Sequence, residues 1–300
     1  MRYTYVVTSF NSAGTIETVL KNVMGQEIQP SEVIIIDDAS EDDSPNIIRN
    51  LISMRSEYRF IQNETNQGQS YSRNLGVRLA SSDFVVFQDD DDISLPNRAT
   101  CHLESFKLGA DFSYLSSRKK YPNGYIVINK NSDFLSDELL KVHLIRHFSN
   151  GGRLPQDLKL FSPSSTLAVR KLFFESIGGF REEMRRLEDI ELACRALAIN
   201  GILCWSSEIG VERLHTVGSD KTSIANYLGE LQVISSVRRY LSPREYFVAQ
   251  KMILLREAYF SRNLKKVISR GFYLPIILGL SPQKLISILK RIMHDLRQRR

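Results

Sequence analysis

The feature that most constrains this chain is Val33-Ile34-Ile35-Ile36, four β-branched residues in a row that run into a pair of acids, Asp37-Asp38. A strand with one wet face alternates apolar and polar residues. An unbroken apolar run fits a strand covered on both faces, as in a parallel sheet lined by helices. The neighbouring sequence agrees. Residues 3–8 read as a strand, and from about Ser12 a helical spacing sets Ile16, Val19, Leu20 and Val23 on one face. Ser44-Pro45 reads as an N-cap and first helical residue ahead of an Ile47, Ile48, Leu51, Ile52 stripe. Phe60-Ile61-Gln62 is a short strand, residues 70–80 a third helix, and 84–87 a fourth strand. This alternation predicts an α/β fold with an open, mostly parallel, Rossmann-like sheet flanked by helices.

In such sheets ligands bind beyond the carboxyl ends of the strands. Three polar sets occupy those ends: Thr8-Ser9-Phe10, Asp37-Asp38-Ala39-Ser40, and Gln88 with Asp89, Asp90, Asp91 and Asp92. Four consecutive aspartates repel one another and raise one another's pKa unless a cation or hydrogen-bond donors meet them. Hard divalent ions favour carboxylate oxygens, and Mg²⁺ is commonly shared between one or two carboxylates and substrate phosphates. The acidic run, matched by the pair at Asp37-Asp38, therefore predicts a cation site.

The middle of the chain is less regular. Tyr121-Pro122-Asn123-Gly124-Tyr125 reads as a hairpin turn, residues 132–148 have helical spacing, and Ser149-Asn150-Gly151-Gly152 is a break. Residues 164–169 are strand-like, a helix through Phe173, Phe174 and Ile177 ends at Gly178-Gly179, and 188–200 is a helix stopped by Gly201. His143 and His147 stand i, i+4, but no Glu follows His143 to complete a zinc motif, and an ordinary amphipathic helix is the better reading.

Charge is unevenly distributed. Residues 235–300 carry 15 Lys/Arg against three acids, a local +12 that leaves −6 for the rest of a chain of formal charge +6. Helical patterning from 226 onward, with Leu/Ile faces in 282–296, predicts a basic helical extension. Such an extension suits an anionic membrane surface or a second copy of the chain as a homo-oligomer contact. No nucleic-acid motif accompanies the charge. The three cysteines, Cys101, Cys194 and Cys204, are odd in number and lack paired spacing, which fits a reducing, cytoplasmic setting. The apolar stretch 272–280 is too short for a span of roughly 20 residues. The expected location is cytoplasmic, peripheral at the inner face of the cell membrane.

Taken in order, Val6-Val7-Thr8-Ser9-Phe10-Asn11, Ile34-Ile35-Ile36-Asp37-Asp38-Ala39-Ser40, Asn66-x-Gly68-x-x-x-Ser72-Arg73-Asn74-x-Gly76 and Phe87-Gln88-Asp89-Asp90-Asp91-Asp92 resemble the motifs of family 2 glycosyltransferases. Ser164-Ser165, Gly178-Gly179-Phe180, Leu187-Glu188-Asp189-Ile190-Glu191 and Arg213-Leu214-His215 continue the resemblance, which covers about residues 3–220. It implies a GT-A domain over 1–225, with a nucleotide-binding half (1–100) and an acceptor half (101–225), ahead of the 226–300 extension. It also implies an inverting transfer of sugar from a nucleotide-sugar donor, typically a UDP-sugar, to a glycan or glycolipid acceptor in bacterial surface-polysaccharide synthesis, with Mn²⁺ or Mg²⁺. By the same resemblance Thr8, Ser9 and Phe10 would line the nucleotide pocket, although Phe10 stands where many members have Tyr. Asp38, with Asp37 beside it, would read the base, and Arg73 would meet the diphosphate. Asp91 would bind metal with Asp89, and His215 is a further candidate ligand. Asp89 or Asp90 would contact the ribose or donor sugar, and Asp92 would be scaffold. Lys221 would add charge from a loop over the diphosphate. Asp189 would be the general base, its pKa lowered by the helix start, and Glu188 would contact a sugar. Two other readings stay open: a sugar nucleotidyltransferase, which lacks here its early Gly-rich phosphate loop, and a non-catalytic nucleotide-sugar or glycan binder.

Overall fold

A computed structural model of the chain describes residues 1–121, 123–136, 159–160, 162–214 and 224–260. In the first ninety residues strands and helices alternate: β1 (Tyr3–Ser9), α1 (Ile16–Met24), β2 (Glu32–Asp37), α2 (Ser44–Ile52), β3 (Tyr58–Gln62), α3 (Gln69–Leu79) and β4 (Phe84–Asp89). Further along the chain come β5 (Asp92–Ser94), α4 (Arg98–Lys107), β6 (Phe112–Lys120), β7 (Ile126–Asn129), β8 (Phe134–Leu135), a 3-10 turn at Ser164–Thr166, β9 (Leu167–Arg170), α5 (Lys171–Ser176), α6 (Glu188–Ala198) and β10 (Leu203–Leu214). Two helices close the described chain, α7 (Ile224–Ser236) and α8 (Pro243–Phe260).

The ten strands of the described residues form one sheet with the path β3-β2-β1-β4-β9-β6-β10-β5, while β7 pairs with β6 and β8 with β10. Strands β1 to β4 pair in parallel throughout. Beyond β4 the sheet becomes mixed, because β9 runs antiparallel to both β4 and β6. Val33, Ile34, Ile35 and Ile36 are all fully buried, as the uninterrupted run requires. Val33 and Ile35 pack with Val19, Leu20, Ile48 and Leu103 on the α1–α2–α4 face. Ile34 and Ile36 pack with Val77, Phe87 and Phe174 on the α3–α5–α6 face. Burial of each such side chain stabilises by roughly 1.5–3 kcal/mol.

Helix α3 lies so close to β1 that a Cβ at Gly76 would stand 2.3 Å from Val6 Cγ1. Only a residue without a side chain permits that approach. A turn joins β6 to β7 as the sequence predicts, with Gly124 N–H donating to Tyr121 O at 2.9 Å. The predicted 132–148 helix does not begin where expected: Phe134–Leu135 is a strand paired antiparallel with Trp205 and Cys204. Phe134 packs instead toward the Trp205 ring, 6.0 Å between centroids, and this contact overrides the local helical spacing. The remainder of that segment, with His143 and His147, lies outside the described residues, as do the Leu/Ile faces of 282–296. The three cysteines are free and buried, and no described helix is long and apolar enough to cross a membrane.

Candidate functional site

The three strand ends converge. Parallel pairing sets Ser9 beside Asp37 and Thr8 beside Asp89. A cavity of about 300 Å³ opens there, lined by Thr8, Ser9, Phe10, Asp38, Asn66, Gly68, Gln69, Ser72 and Asp90. Thr8 Oγ1 is buried in its wall with no hydrogen-bond partner, and a buried orphan of this kind suits a ligand's polar atom. Phe10 stands at the mouth, 47% exposed, with an open aromatic face.

Asp38 accepts hydrogen bonds from Asn63 Nδ2 (2.8 Å) and the Gln67 N–H (2.9 Å) on one oxygen, and from the Gly68 N–H (2.8 Å) on the other. It therefore folds the 63–68 segment around the cavity. Gly68 has φ +95, a conformation that glycine adopts without strain. Asp38 retains acceptor capacity toward the cavity, since a carboxylate has about four lone-pair sites. Asp37 lies behind the wall: it is fully buried and accepts from the Ser40 N–H (3.0 Å) and Oγ (2.6 Å).

The acidic run splits into distinct environments. Asp89 forms an ion pair with Arg73 Nη2 at 2.6 Å and accepts from Gln69 Nε2 at 3.1 Å. Asp90 accepts the Phe10 N–H at 2.7 Å. Burial, and then the charges of Asp89 and Asp91, push the Asp90 carboxyl up to about 7 despite that bond. Asp92 opens β5 and lies opposite Arg213, 3.7 Å from its Nε. Burial is also the largest influence on Asp92, which is raised to about 7. Beneath the turn, the fully buried Arg98 donates to Gln88 Oε1 (2.8 Å), Ser94 Oγ (2.9 Å), Phe87 O (2.5 Å) and Ser165 O (2.8 Å). One guanidinium thus ties the acidic turn to the 164–166 segment. Sequence reasoning missed Arg98, because an Arg at a helix start reads as a solvated surface residue.

Arg73 joins the two acidic centres. Its side chain is 1% exposed, and its second arm reaches Glu188 Oε1 at 3.3 Å while the guanidinium lies 5.4 Å from the Phe180 ring centre. The resemblance aims Arg73 at the diphosphate; the structure gives it two carboxylates, with Nε left unpartnered. Burial alone would lower its pKa, but Asp89 and Glu188 outweigh burial and raise it.

Asp189 follows Glu188 at the start of α6. Leu187, just before them, is held at φ +62. Among the described residues, three of the four non-glycine residues at positive φ, Asn11, Ala39 and Leu187, stand around this site, where strain of about 1–3 kcal/mol each is characteristically retained for function. The expectation that the helix start lowers the Asp189 pKa is overturned: burial, then the charge of Glu188, holds the carboxyl up at about 7. The N–H groups of Ile190 (2.8 Å to Oδ1) and Ser164, together with Arg73, only partly offset burial. Among the described residues no three His, Cys, Asp or Glu side chains form a preformed metal cage. A divalent ion shared with substrate phosphates needs only one or two carboxylates, and the surplus negative charge of the turn fits one. His215 and Lys221 lie outside the described residues.

An α/β sheet with a cavity at the ends of β1, β2 and β4, an acidic turn on its rim and a half-buried Glu-Asp pair bridged to that turn by Arg73 define a glycosyltransferase of the GT-A type. Residues 4–175 match glycosyl transferase family 2, and the chain belongs to that family. It is 25% identical over 317 aligned residues to an "uncharacterized glycosyltransferase" of Haemophilus influenzae, covering 96% of this chain and 98% of that one. A Campylobacter jejuni GalNAc(5)-diNAcBac-PP-undecaprenol beta-1,3-glucosyltransferase is 33% identical over 29% of this chain and 28% of its own. Poly-beta-1,6-N-acetyl-D-glucosamine synthase of Staphylococcus aureus is 27% identical over 42% of this chain and 31% of its own. Among solved structures, S. aureus TarS 1–349 in complex with UDP-GlcNAc superposes over 99% of this chain and 88% of that one, with a TM-score of 0.65 and 19% identity. The fold is therefore shared.

Proposed function

We propose that this chain transfers a sugar from a UDP-sugar to a hydroxyl of a glycan or glycolipid acceptor, with inversion at the anomeric carbon, in bacterial surface-polysaccharide or glycolipid synthesis. The observation that carries the reading is the Asp89–Arg73–Glu188 bridge, which brings the acidic turn of the donor cavity against the Glu188-Asp189 pair. The names of the C. jejuni and S. aureus relatives, and the UDP-GlcNAc complex of TarS, support the choice of donor and acceptor class.

In this mechanism the nucleotide lies in the cavity between Phe10 and Asp38, with the orphaned Thr8 hydroxyl on one of its polar atoms. The acceptor oxygen attacks the anomeric carbon from the face opposite the leaving diphosphate. The new C–O bond forms as the bond to the diphosphate oxygen breaks, and the acceptor proton passes to Asp189. A carboxyl held up to about 7 is matched to that task near neutral pH, where a general base contributes typically 10²–10⁴-fold. Asp91 and Asp89 would hold Mn²⁺ or Mg²⁺, which supplies charge stabilisation to the departing diphosphate. Arg73 keeps Asp89 and Glu188 in register across the cleft. Asp189→Asn, assayed by UDP release with a panel of UDP-sugars and Mn²⁺, tests the reading. Turnover should fall into the range expected for loss of a base while UDP still binds; near wild-type turnover would remove Asp189 from the role.

A further inference from the structure

We propose that the hairpin formed by β6 and β7 docks on anionic lipid bilayers and turns the mouth of the site toward the membrane surface; its purpose, delivery of a glycolipid acceptor, rests on the reading above. The first observation is charge. Residues 118–130 contain Arg118, Lys119, Lys120 and Lys130 and no acid, within a body of 234 residues whose formal charge is −6. Arg118 is paired with Glu212 at 2.7 Å, whereas Lys120 and Lys130 stand exposed. The Lys119 ammonium lies 5.3 Å from the Tyr121 ring centre.

The second observation is apolar exposure at the same place. Ile126 is 46% exposed and Ile128 55%. Cross-strand register sets Ile128 opposite Arg118 and Ile126 opposite Lys120, so apolar and basic side chains alternate on one face. Aliphatic groups flanked by Lys and Arg are the composition of elements that lie in the headgroup region, with the cationic groups reaching back to the phosphates. A hydroxyl-rich polyanionic glycan would satisfy the lysines but would leave both isoleucines in water.

The third observation is position. β6 and β10 are parallel, with Lys119 beside Arg213 and Lys120 beside Leu214, and Arg213 in turn lies opposite Asp92 of the acidic turn. The hairpin therefore rises from the rim that carries the site. A bilayer bound there faces the cleft.

The native chain has one tryptophan, Trp205, which is 1% exposed and gives a constant background. Ile128→Trp and Ile126→Trp, each in the full chain, would report insertion through quenching by brominated lipids in phosphatidylcholine/phosphatidylglycerol vesicles. The expected result is a blue shift and quenching of both reporters with anionic vesicles and little with phosphatidylcholine alone. Replacing Lys119, Lys120 and Lys130 together by Gln should weaken partition roughly 100-fold. Absence of quenching at both positions, in variants whose circular dichroism matches the parent, overturns the proposal. So does binding of inorganic polyphosphate to the hairpin lysines without quenching by any vesicle, which would make the strip a site for a soluble polyanion. UDP-sugar binding by the same variants is read separately: quenching without any UDP-sugar binding rejects the transferase reading and leaves the docking intact.

Discussion

Arg73 shows how much a single side chain can carry at this site. It is buried between Asp89 and Glu188, and removing one partner of a buried ionic network costs about 3–5 kcal/mol because the remaining charges stay desolvated. Arg73→Ala is expected to lower the denaturation midpoint and to abolish turnover together. Arg73→Lys keeps the charge but cannot reach two carboxylates from one planar group; it should recover stability in part and turnover little. Equal recovery of both would reduce Arg73 to a structural counter-ion. For Asp189, a carboxyl raised to about 7 must lose its proton to act as base, so kcat/KM should climb as pH rises through about 7 and level off above it. A pH–rate profile flat from about 5 to 8 would contradict the assignment. Neither residue's environment was legible in sequence. Periodicity marked Arg73 only as a polar position on a helix, and proximity to a helix start suggested a lowered Asp189, because burial by segments distant in sequence cannot be read from a local window.

At the scale of elements, what the sequence revealed follows from period and length. The Val33–Ile36 run, the α1 stripe and the fourth strand were readable because each buries a continuous apolar surface with its own repeat. β8 was not, because two residues held by Trp205 carry no period of their own. Nor was the antiparallel entry of β9, since strand order is decided by tertiary pairing. The Asp cluster was recognisable as a site, but its division into an Arg-bound Asp89, an amide-bound Asp90 and a ladder-bound Asp92 needed the β1 and β5 neighbours. Packing of α3 on β1 gives a sharper test. Gly76→Ala would press a methyl group against Val6, and overpacking of this kind costs typically 1–3 kcal/mol. Combining it with Val6→Ala should restore much of the loss in urea unfolding; no restoration would mean the strain is relieved elsewhere.

For the molecule as a whole, Asp90, Asp92 and Asp189 are all held up near 7 from an ordinary 3.8. Between about pH 4 and 7 the folded state binds more protons than the unfolded chain, so these groups stabilise the fold less and less as pH rises through that window. With chelator present, Tm should fall between about pH 5.5 and 8, and Mn²⁺ should raise Tm more at the higher pH. A Tm indifferent to Mn²⁺ at about pH 8 would argue against a cation at the acidic turn. The place of β9 bears on how such a chain is made. β1 to β4 can pair once residue 89 has left the ribosome, but β4 and β6 are joined only through residues 167–170. Until that segment leaves the ribosome, two strand edges stay open, and open edges recruit other chains. Nascent chains arrested before residue 167 should therefore bind holdase chaperones and aggregate on release, and those arrested far enough beyond residue 170 for β9 to clear the exit tunnel should not. Synthesis thus has a vulnerable interval whose length is set by where in the gene one short strand is encoded.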